Sequence, residues 1–223
     1  MGKLIVIEGT DCSGKETQTQ LLFTRLKREG KKVEKISFPE YDSPTGKIVG
    51  GPYLGKSDME ASYFSEGAIN VDPKVAALYY AADRRYNLPR IKELLEQDYI
   101  IILDRYVESN MAHQGCKIEK KEEREKLYKW FDTLEYDLLE LPRPDITILL
   151  HMPVSKVVEL KKGRSVTDGH ESSISYLKTS EEAYLELAEL KSHHVISCTI
   201  KNKLRDIMDI HEEIYNIIIK DID

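Results

Sequence analysis

The chain has little of what secreted, membrane-spanning or nucleic-acid-coating proteins rely on. Its three cysteines, Cys12, Cys116 and Cys198, are far apart, odd in number and form no CxxC pair. That usage argues against a disulfide framework and for a reduced environment, so a soluble, cytoplasmic protein is expected. No apolar run approaches a membrane span, and the N-terminal stretch Leu4–Ile7 is too short for a signal-peptide core. Lipid anchors are not expected either. Val6 stands where myristoylation of Gly2 requires Ser or Thr, and the terminal Asp221-Ile222-Asp223 is no prenylation signal. A basic excess is also missing: 33 Lys and Arg against 39 Asp and Glu leave a net charge of −6, which speaks against binding a nucleic-acid polymer. Any anionic ligand must therefore meet a local positive site. What the 223 residues do have is 41% hydrophobic content, enough for a buried core and too much for disorder.

Short apolar, β-rich segments recur at Leu4–Ile7, Val33–Phe38, Tyr99–Leu103, Ile146–Leu150 and Val195–Ser197, separated by helix-length stretches of mixed polarity. This alternation predicts an α/β fold, a five-stranded parallel sheet flanked by helices. Helices are expected from about Lys15 to Glu29, with Leu22 and Leu26 inward and Gly30 left-handed past the end, and then over Pro73–Leu95, Lys120–Glu140, Ser155–Lys162, Ser172–His193 and Leu204–Lys220. In the last of these, Ile207, Ile210, Ile214 and Ile217 keep helical spacing and read as core. The run Lys117–Lys126 reads as a solvated helix face, and Trp130 and Phe131 as packing or dimer contacts. No linker or repeat divides residues 1–223, so one domain is expected, with the polar segment 161–171 as a short mobile lid.

Three constellations carry chemistry. The first is Gly9-Thr10-Asp11-Cys12-Ser13-Gly14-Lys15, continuing through Glu16 and Thr17, which leaves a buried strand and enters a helix. Glycines let main-chain N–H groups and the helix N-terminus converge on a phosphate, and Lys15 adds a full charge. Glu16 occupies the place of the Ser or Thr whose hydroxyl usually holds Mg²⁺ in such loops. The second is Asp104-Arg105-Tyr106, followed by Ser109, Asn110, His113 and Gln114, at the carboxyl end of a predicted strand, where open α/β sheets bind ligands. An ordinary ion pair at a strand end would read the same way. The third is Tyr80 and Arg84, four apart on one helix face. A ring beside a guanidinium suits a nucleobase, and a core tyrosine beside a solvated arginine would give the same spacing.

Taken in order, Leu4–Gln20, Phe38-Pro39-Glu40-Tyr41, Leu78–Arg84, Asp104–Gly115, Leu141-Pro142-Arg143-Pro144-Asp145 and Asp168–Glu171 resemble the thymidylate kinase family. The resemblance implies a three-layer P-loop kinase fold with a lid, a homodimer, and transfer of the ATP γ-phosphoryl group to dTMP with Mg²⁺. It further implies that Lys15 and the amides of Gly9–Thr17 hold the ATP phosphates, and that Arg105 lies between donor and acceptor phosphates. Asp11 would contact the deoxyribose 3′-hydroxyl near the metal, Tyr80 would stack on thymine, and Arg84 would meet its O4. Phe38, Tyr41, Ser109, Asn110, His113, Gln114 and Glu171 would complete the acceptor site, with Asp11, Asp104, Glu16 and Glu171 as Mg²⁺ ligands. Tyr41 stands where many relatives have an arginine for the acceptor phosphate. Cys12 stands where one subgroup has a catalytic arginine, which leaves Lys161, Lys162 and Arg164 as lid cations. A kinase for dUMP or another pyrimidine nucleotide, or a catalytically weak nucleotide-binding protein, would share these features.

Overall fold

The structure, a computed structural model, describes residues 2–161 and 174–222. Strands β1 (Lys3–Gly9), β2 (Val33–Ser37), β3 (Ile100–Asp104), β4 (Ile146–His151) and β5 (His194–Ser197) form one sheet in the order β2-β3-β1-β4-β5, with every pairing parallel. These are the five apolar segments of the sequence. Because side chains alternate along a strand, the central strand feeds two cores. Leu4 and Val6 join one cluster with Leu103, Ile101 and Leu149, while Ile5 and Ile7 join another with Ile102, Ile148 and Leu150.

The helices are α1 (Lys15–Arg28), α2 (Pro44–Ile48), α3 (Pro73–Glu96), α4 (Val107–Gly115), α5 (Lys121–Asp132), α6 (Val154–Lys161), α7 (Ile174–Leu190) and α8 (Ile207–Ile222). Leu22 and Leu26 of α1 and Ile210, Ile214 and Ile218 of α8 close one face of the sheet. Leu88 and Ile91 of α3, Met111 of α4, Phe131 of α5 and Leu187 of α7 close the other. Gly30 is left-handed at φ 81°, ending α1 as expected. Among the described residues no helix is long and apolar enough to cross a membrane.

Four expectations need correction. The helix expected over Lys120–Glu140 stops at Asp132 and continues as a π-helical turn, Thr133–Leu138. Helix α4 was not expected: it is only nine residues long, and eight of them are buried, the polar Glu108, Ser109, Asn110 and Gln114 included. In α8 the buried stripe is Ile210, Ile214 and Ile218, while Ile207 is 54% exposed, and a two-stranded hairpin, β6 (Thr199–Ile200) with β7 (Lys203–Leu204), precedes it. Lys117 does not lie on a solvated face. It is half-buried, its Nζ donates to the carbonyls of Ala68 (3.3 Å) and Val71 (3.0 Å), and burial pulls its pKa down to about 8.

Ile102 is fully buried in β3 between β2 and β1. Ile102→Ala is expected to lower the unfolding free energy by about 2–5 kcal/mol in a denaturant titration, and a loss below about 1 kcal/mol would contradict this placement.

Candidate active site at the carboxyl edge of the sheet

All five strands deliver their carboxyl ends to one edge, and the loops that follow β1, β2 and β3 supply the charged groups gathered there. After β1 the chain turns tightly into α1. A Cβ on Gly9 would come within 2.4 Å of Ser13 Oγ and 2.9 Å of the Leu150 carbonyl, so only glycine fits. Gly14 caps α1 in a left-handed conformation (φ 79°) with no side-chain cap, which leaves the first amides of the helix open to an anion. Thr10 clips the loop to the end of β4: its Oγ1 donates to the Met152 carbonyl (3.0 Å) and accepts from the Met152 N–H (2.9 Å). Lys15 is buried and folds back onto the carbonyls of Gly9 (3.0 Å) and Thr10 (3.2 Å). Burial and the nearby Arg105 bring its pKa down to about 8. The carboxyl of Asp11 is held below its usual range. Burial opposes this, but the charges of His113, Arg105, Lys15 and Lys161 outweigh it, and Lys161 Nζ reaches Asp11 Oδ2 at 3.4 Å.

After β3 the backbone of Arg105 is left-handed (φ 68°), an uncommon state for a residue with a side chain. A carboxylate from the neighbouring strand holds it there. Glu8 Oε1 accepts the amides of Tyr106 (2.8 Å) and Ser109 (3.0 Å), and Oε2 accepts the Ser109 hydroxyl (2.5 Å). Glu8 thereby satisfies donors at the start of α4 that the helix cannot satisfy itself. Burial and the nearby Glu108 push its pKa up to about 7. The Nη1 of Arg105 meets Ser109 Oγ (3.2 Å), Tyr184 Oη (3.2 Å) and His113 Nε2 (3.4 Å). Burial disfavours the Arg105 charge, yet Tyr184, Glu8, Asp11 and Asp104 hold its pKa above the usual arginine range. Asp104 sits beside it, its carboxyl raised by burial and by Glu16 against the pull of Arg105 and Lys15.

Next to Arg105 lies a cavity lined by Phe38, Tyr41, Tyr80, Arg84, Asn110 and His113, among others. Asp83, also in its wall and 1% exposed, organises the loop after β2. It accepts the Glu40 amide (2.8 Å) and the hydroxyls of Ser43 (2.9 Å) and Thr45 (2.8 Å). Arg84 is paired with Glu135 and donates through Nη1 to the Tyr106 carbonyl (3.4 Å). Tyr80 meets Tyr53 edge-on at 5.6 Å. His113 stacks on Tyr176 (6.1 Å between rings, 13° apart), and its Nδ1 lies 2.7 Å from that hydroxyl. A second cleft beside the phosphate loop is lined by Cys12, Thr17, Met152, Leu160, Cys198 and Arg205, among others.

The structure thus brings Phe38, Tyr41, Tyr80, Arg84, Arg105, Ser109, Asn110 and His113 around one cavity. Gln114 is buried outside the cavity wall. The side chain of Thr10 is committed to β4, so only its main chain is available to a phosphate. Among the described residues no three His, Cys, Asp or Glu side chains gather as a metal-ligand group, so Asp11, Asp104 and Glu16 do not form a closed set. Lys162, Arg164 and Glu171, with the rest of the expected lid beyond Lys161, lie outside the described residues. Sequence reasoning missed Glu8, Asp83, Glu135, Tyr176 and Tyr184. Tyr176 and Tyr184 are eight apart and so share a helix face, which was the one signal available for them.

Residues 7–214 match the thymidylate kinase family. A probable thymidylate kinase of Caldivirga maquilingensis is 30% identical over 210 residues, covering 93% of this chain and 92% of that protein. A probable thymidylate kinase of Thermococcus gammatolerans is 30% identical over 226 residues, covering 100% and 98%. The solved structure of thymidylate kinase from Candida albicans superposes with a TM-score of 0.71 at 27% identity, covering 98% of this chain and 92% of that one.

The lowered pKa of Lys15 has a measurable consequence. The ammonium is charged below about pH 8 and loses its proton as pH rises through that value, whereas a bound polyphosphate favours the charged form. Calorimetry of ATP binding in buffers of different ionisation enthalpy is expected to show uptake of about one proton at pH 9, much less at pH 7.5, and none attributable to this site in Lys15→Met. Equal uptake at both pH values would contradict the assignment.

Proposed function

We propose that this chain, which belongs to the thymidylate kinase family, transfers the γ-phosphoryl group of ATP to dTMP, giving ADP and dTDP. The observation that carries the reading is that Arg105 lines one cavity, the phosphate loop lines a second cleft, and Lys15 of that loop lies close enough to Arg105 to feel its charge. The cleft beside the phosphate loop takes the donor nucleoside, the cavity lined by Arg105 takes the acceptor, and Lys15 and Arg105 meet the phosphates.

The acceptor is a phosphate monoester with a second pKa of about 6, mostly dianionic at neutral pH, so no general base is needed. Catalysis then consists of aligning two repelling anions and neutralising charge on the transferred group. The uncapped amides of α1 and Lys15 hold the donor phosphates. Arg105, supported by two hydroxyls and an imidazole without an ion-paired carboxylate among the described residues, keeps its charge for the phosphates. Lys161, already at Asp11, is the lid cation whose position is described. Tyr80 forms the shelf for the pyrimidine. Asn110 donates to the Ala77 carbonyl (3.2 Å) while its buried Oδ1 is unpartnered, an acceptor suited to the base N–H. Tyr41 carries the ammonium of Lys56 3.9 Å above its ring, a cation near the place where many relatives have an arginine.

Magnesium fits the residues present. Asp104 and Glu16 repel each other electrostatically, and Mg²⁺ is commonly held by one or two carboxylates together with substrate phosphates. When bound it would offset charge on the donor phosphates. That Cys12, Cys116 and Cys198 form no disulfide with one another suits the cytoplasm.

A second copy of the chain is the partner. On α3, Val75, Leu78, Tyr79 and Ala82 line an apolar groove with Ile48, and Val75, Leu78 and Ile48 are 42%, 50% and 46% exposed. Such a patch on a long helix suits a self-complementary interface.

An ADP-release assay across dTMP, dUMP, UMP and dCMP, with and without Mg²⁺, is expected to show Mg²⁺-dependent turnover with dTMP preferred. Arg105→Ala is expected to lower turnover about a thousandfold without changing the far-ultraviolet circular dichroism. Near-normal turnover in that variant, or binding of both nucleotides with no product, would overturn the reading. Leu78→Asp is expected to shift sedimentation from dimer to monomer; an unchanged sedimentation profile would contradict the α3 interface.

A further inference from the structure

We propose that Glu135 is a specificity-determining positioning residue. It cancels the charge of Arg84 and fixes its plane, so that a buried guanidinium reads a neutral base instead of gripping a phosphate. The proposal rests on the acceptor reading above and deepens it.

Arg84 and Glu135 are 2% and 0% exposed. The pair is bidentate: Nε donates to Oε2 at 2.9 Å, and Nη2 donates to Oε1. With Nη1 on the Tyr106 carbonyl, three of the five guanidinium N–H donors are engaged, and two are left on a side chain that lines the cavity. A buried ion pair is a weak source of stability, because desolvation offsets most of its attraction. Its effect here is electrostatic. An unpaired Arg84 would give the cavity a second guanidinium without a directly bonded carboxylate beside Arg105, and a phosphate dianion would be drawn to either. With Glu135 in place Arg84 is neutralised, while Arg105 meets hydroxyls and an imidazole. The cavity therefore has one end for charge and one end for neutral carbonyl chemistry.

Glu135 also sets the second member of the recognition edge. The Nδ2 of Asn110 points to the Ala77 carbonyl (3.2 Å) and to Glu135 Oε1 (3.5 Å), which turns the unpartnered Oδ1 the other way. One carboxylate thus aligns a donor, Arg84, with an acceptor, Asn110. That pattern complements a base offering a carbonyl beside an N–H, as thymine and uracil do. Cytosine presents an amino group and a bare nitrogen and would leave both protein groups unpaired. The π-helical turn Thr133–Leu138 is what brings Glu135 inside, and such turns recur at functional sites.

Glu135→Gln keeps the shape and removes the charge. In the full-length protein, the ratio of kcat/KM for dTMP over dCMP is expected to fall about tenfold or more. Inhibition by inorganic phosphate, competitive with dTMP, is expected to strengthen about tenfold, with KM for ATP unchanged. In an Arg84→Met background the same substitution is expected to change neither quantity. Should Glu135→Gln fail to fold, Glu135→Asp retains the charge while breaking the bidentate geometry. It is then expected to lower the dTMP preference and leave phosphate inhibition as in the parent protein. If Arg84→Met abolishes the dTMP preference but neither Glu135 variant alters the preference or the inhibition, the role of Glu135 is refuted and base reading by Arg84 stands. If Arg84→Met itself leaves the preference intact, both fall together.

Discussion

Everything at this site depends on which buried cations have their charge cancelled. An acidic chain that handles polyphosphate must keep a few positive groups unneutralised among many carboxylates, and the fold does so selectively. Lys15 rests on two main-chain carbonyls, and Arg105 on two hydroxyls and a histidine, so among the described residues neither is ion-paired, although Glu8, Asp11 and Asp104 lie near enough to act on both. Arg84, in the wall of the same cavity, is matched by Glu135. Phosphate and base are told apart by local neutralisation within a single cavity.

The parallel sheet makes this arrangement possible. It carries the loops of β1, β2 and β3 to one edge, and carboxylates from elsewhere in the chain then fix each loop. Glu8 on β1 holds the start of α4 and with it the left-handed Arg105. Asp83 on α3 gathers the loop after β2 through three hydrogen bonds. Glu135 does the same for Arg84 and Asn110. These acidic residues are buried in a chain of net charge −6, and each of them orients a loop or a side chain at the site.

What was legible in the sequence was local. The five strands and the phosphate loop announce themselves within a dozen residues, because strand alternation and the glycine–lysine spacing depend only on neighbours along the chain. Tyr80 and Arg84 were legible as a pair because a helix repeats every 3.6 residues. The supporting carboxylates were not: Glu8 meets Ser109 across 101 positions, and Glu135 meets Arg84 across 51. No short-range pattern encodes such distances. The π-helical turn was invisible for another reason, since Lys120–Glu140 carries a helical composition throughout and nothing in it marks where the repeat widens. Helix α4 was hidden by its shortness and its many buried polar residues, and the charge run at Lys117 misled because composition cannot show that one lysine of several is drawn inward to two carbonyls.

The central claim is that the arginine without a directly paired carboxylate meets the phosphate and the one paired with Glu135 meets the base. A crystal structure of the protein with dTMP tests it most directly. The account predicts the nucleotide's phosphate oxygens within hydrogen-bond distance of Arg105, the pyrimidine carbonyl on Arg84, and the Arg84–Glu135 pair intact. A phosphate seated on Arg84, with Glu135 displaced from it, would contradict the account.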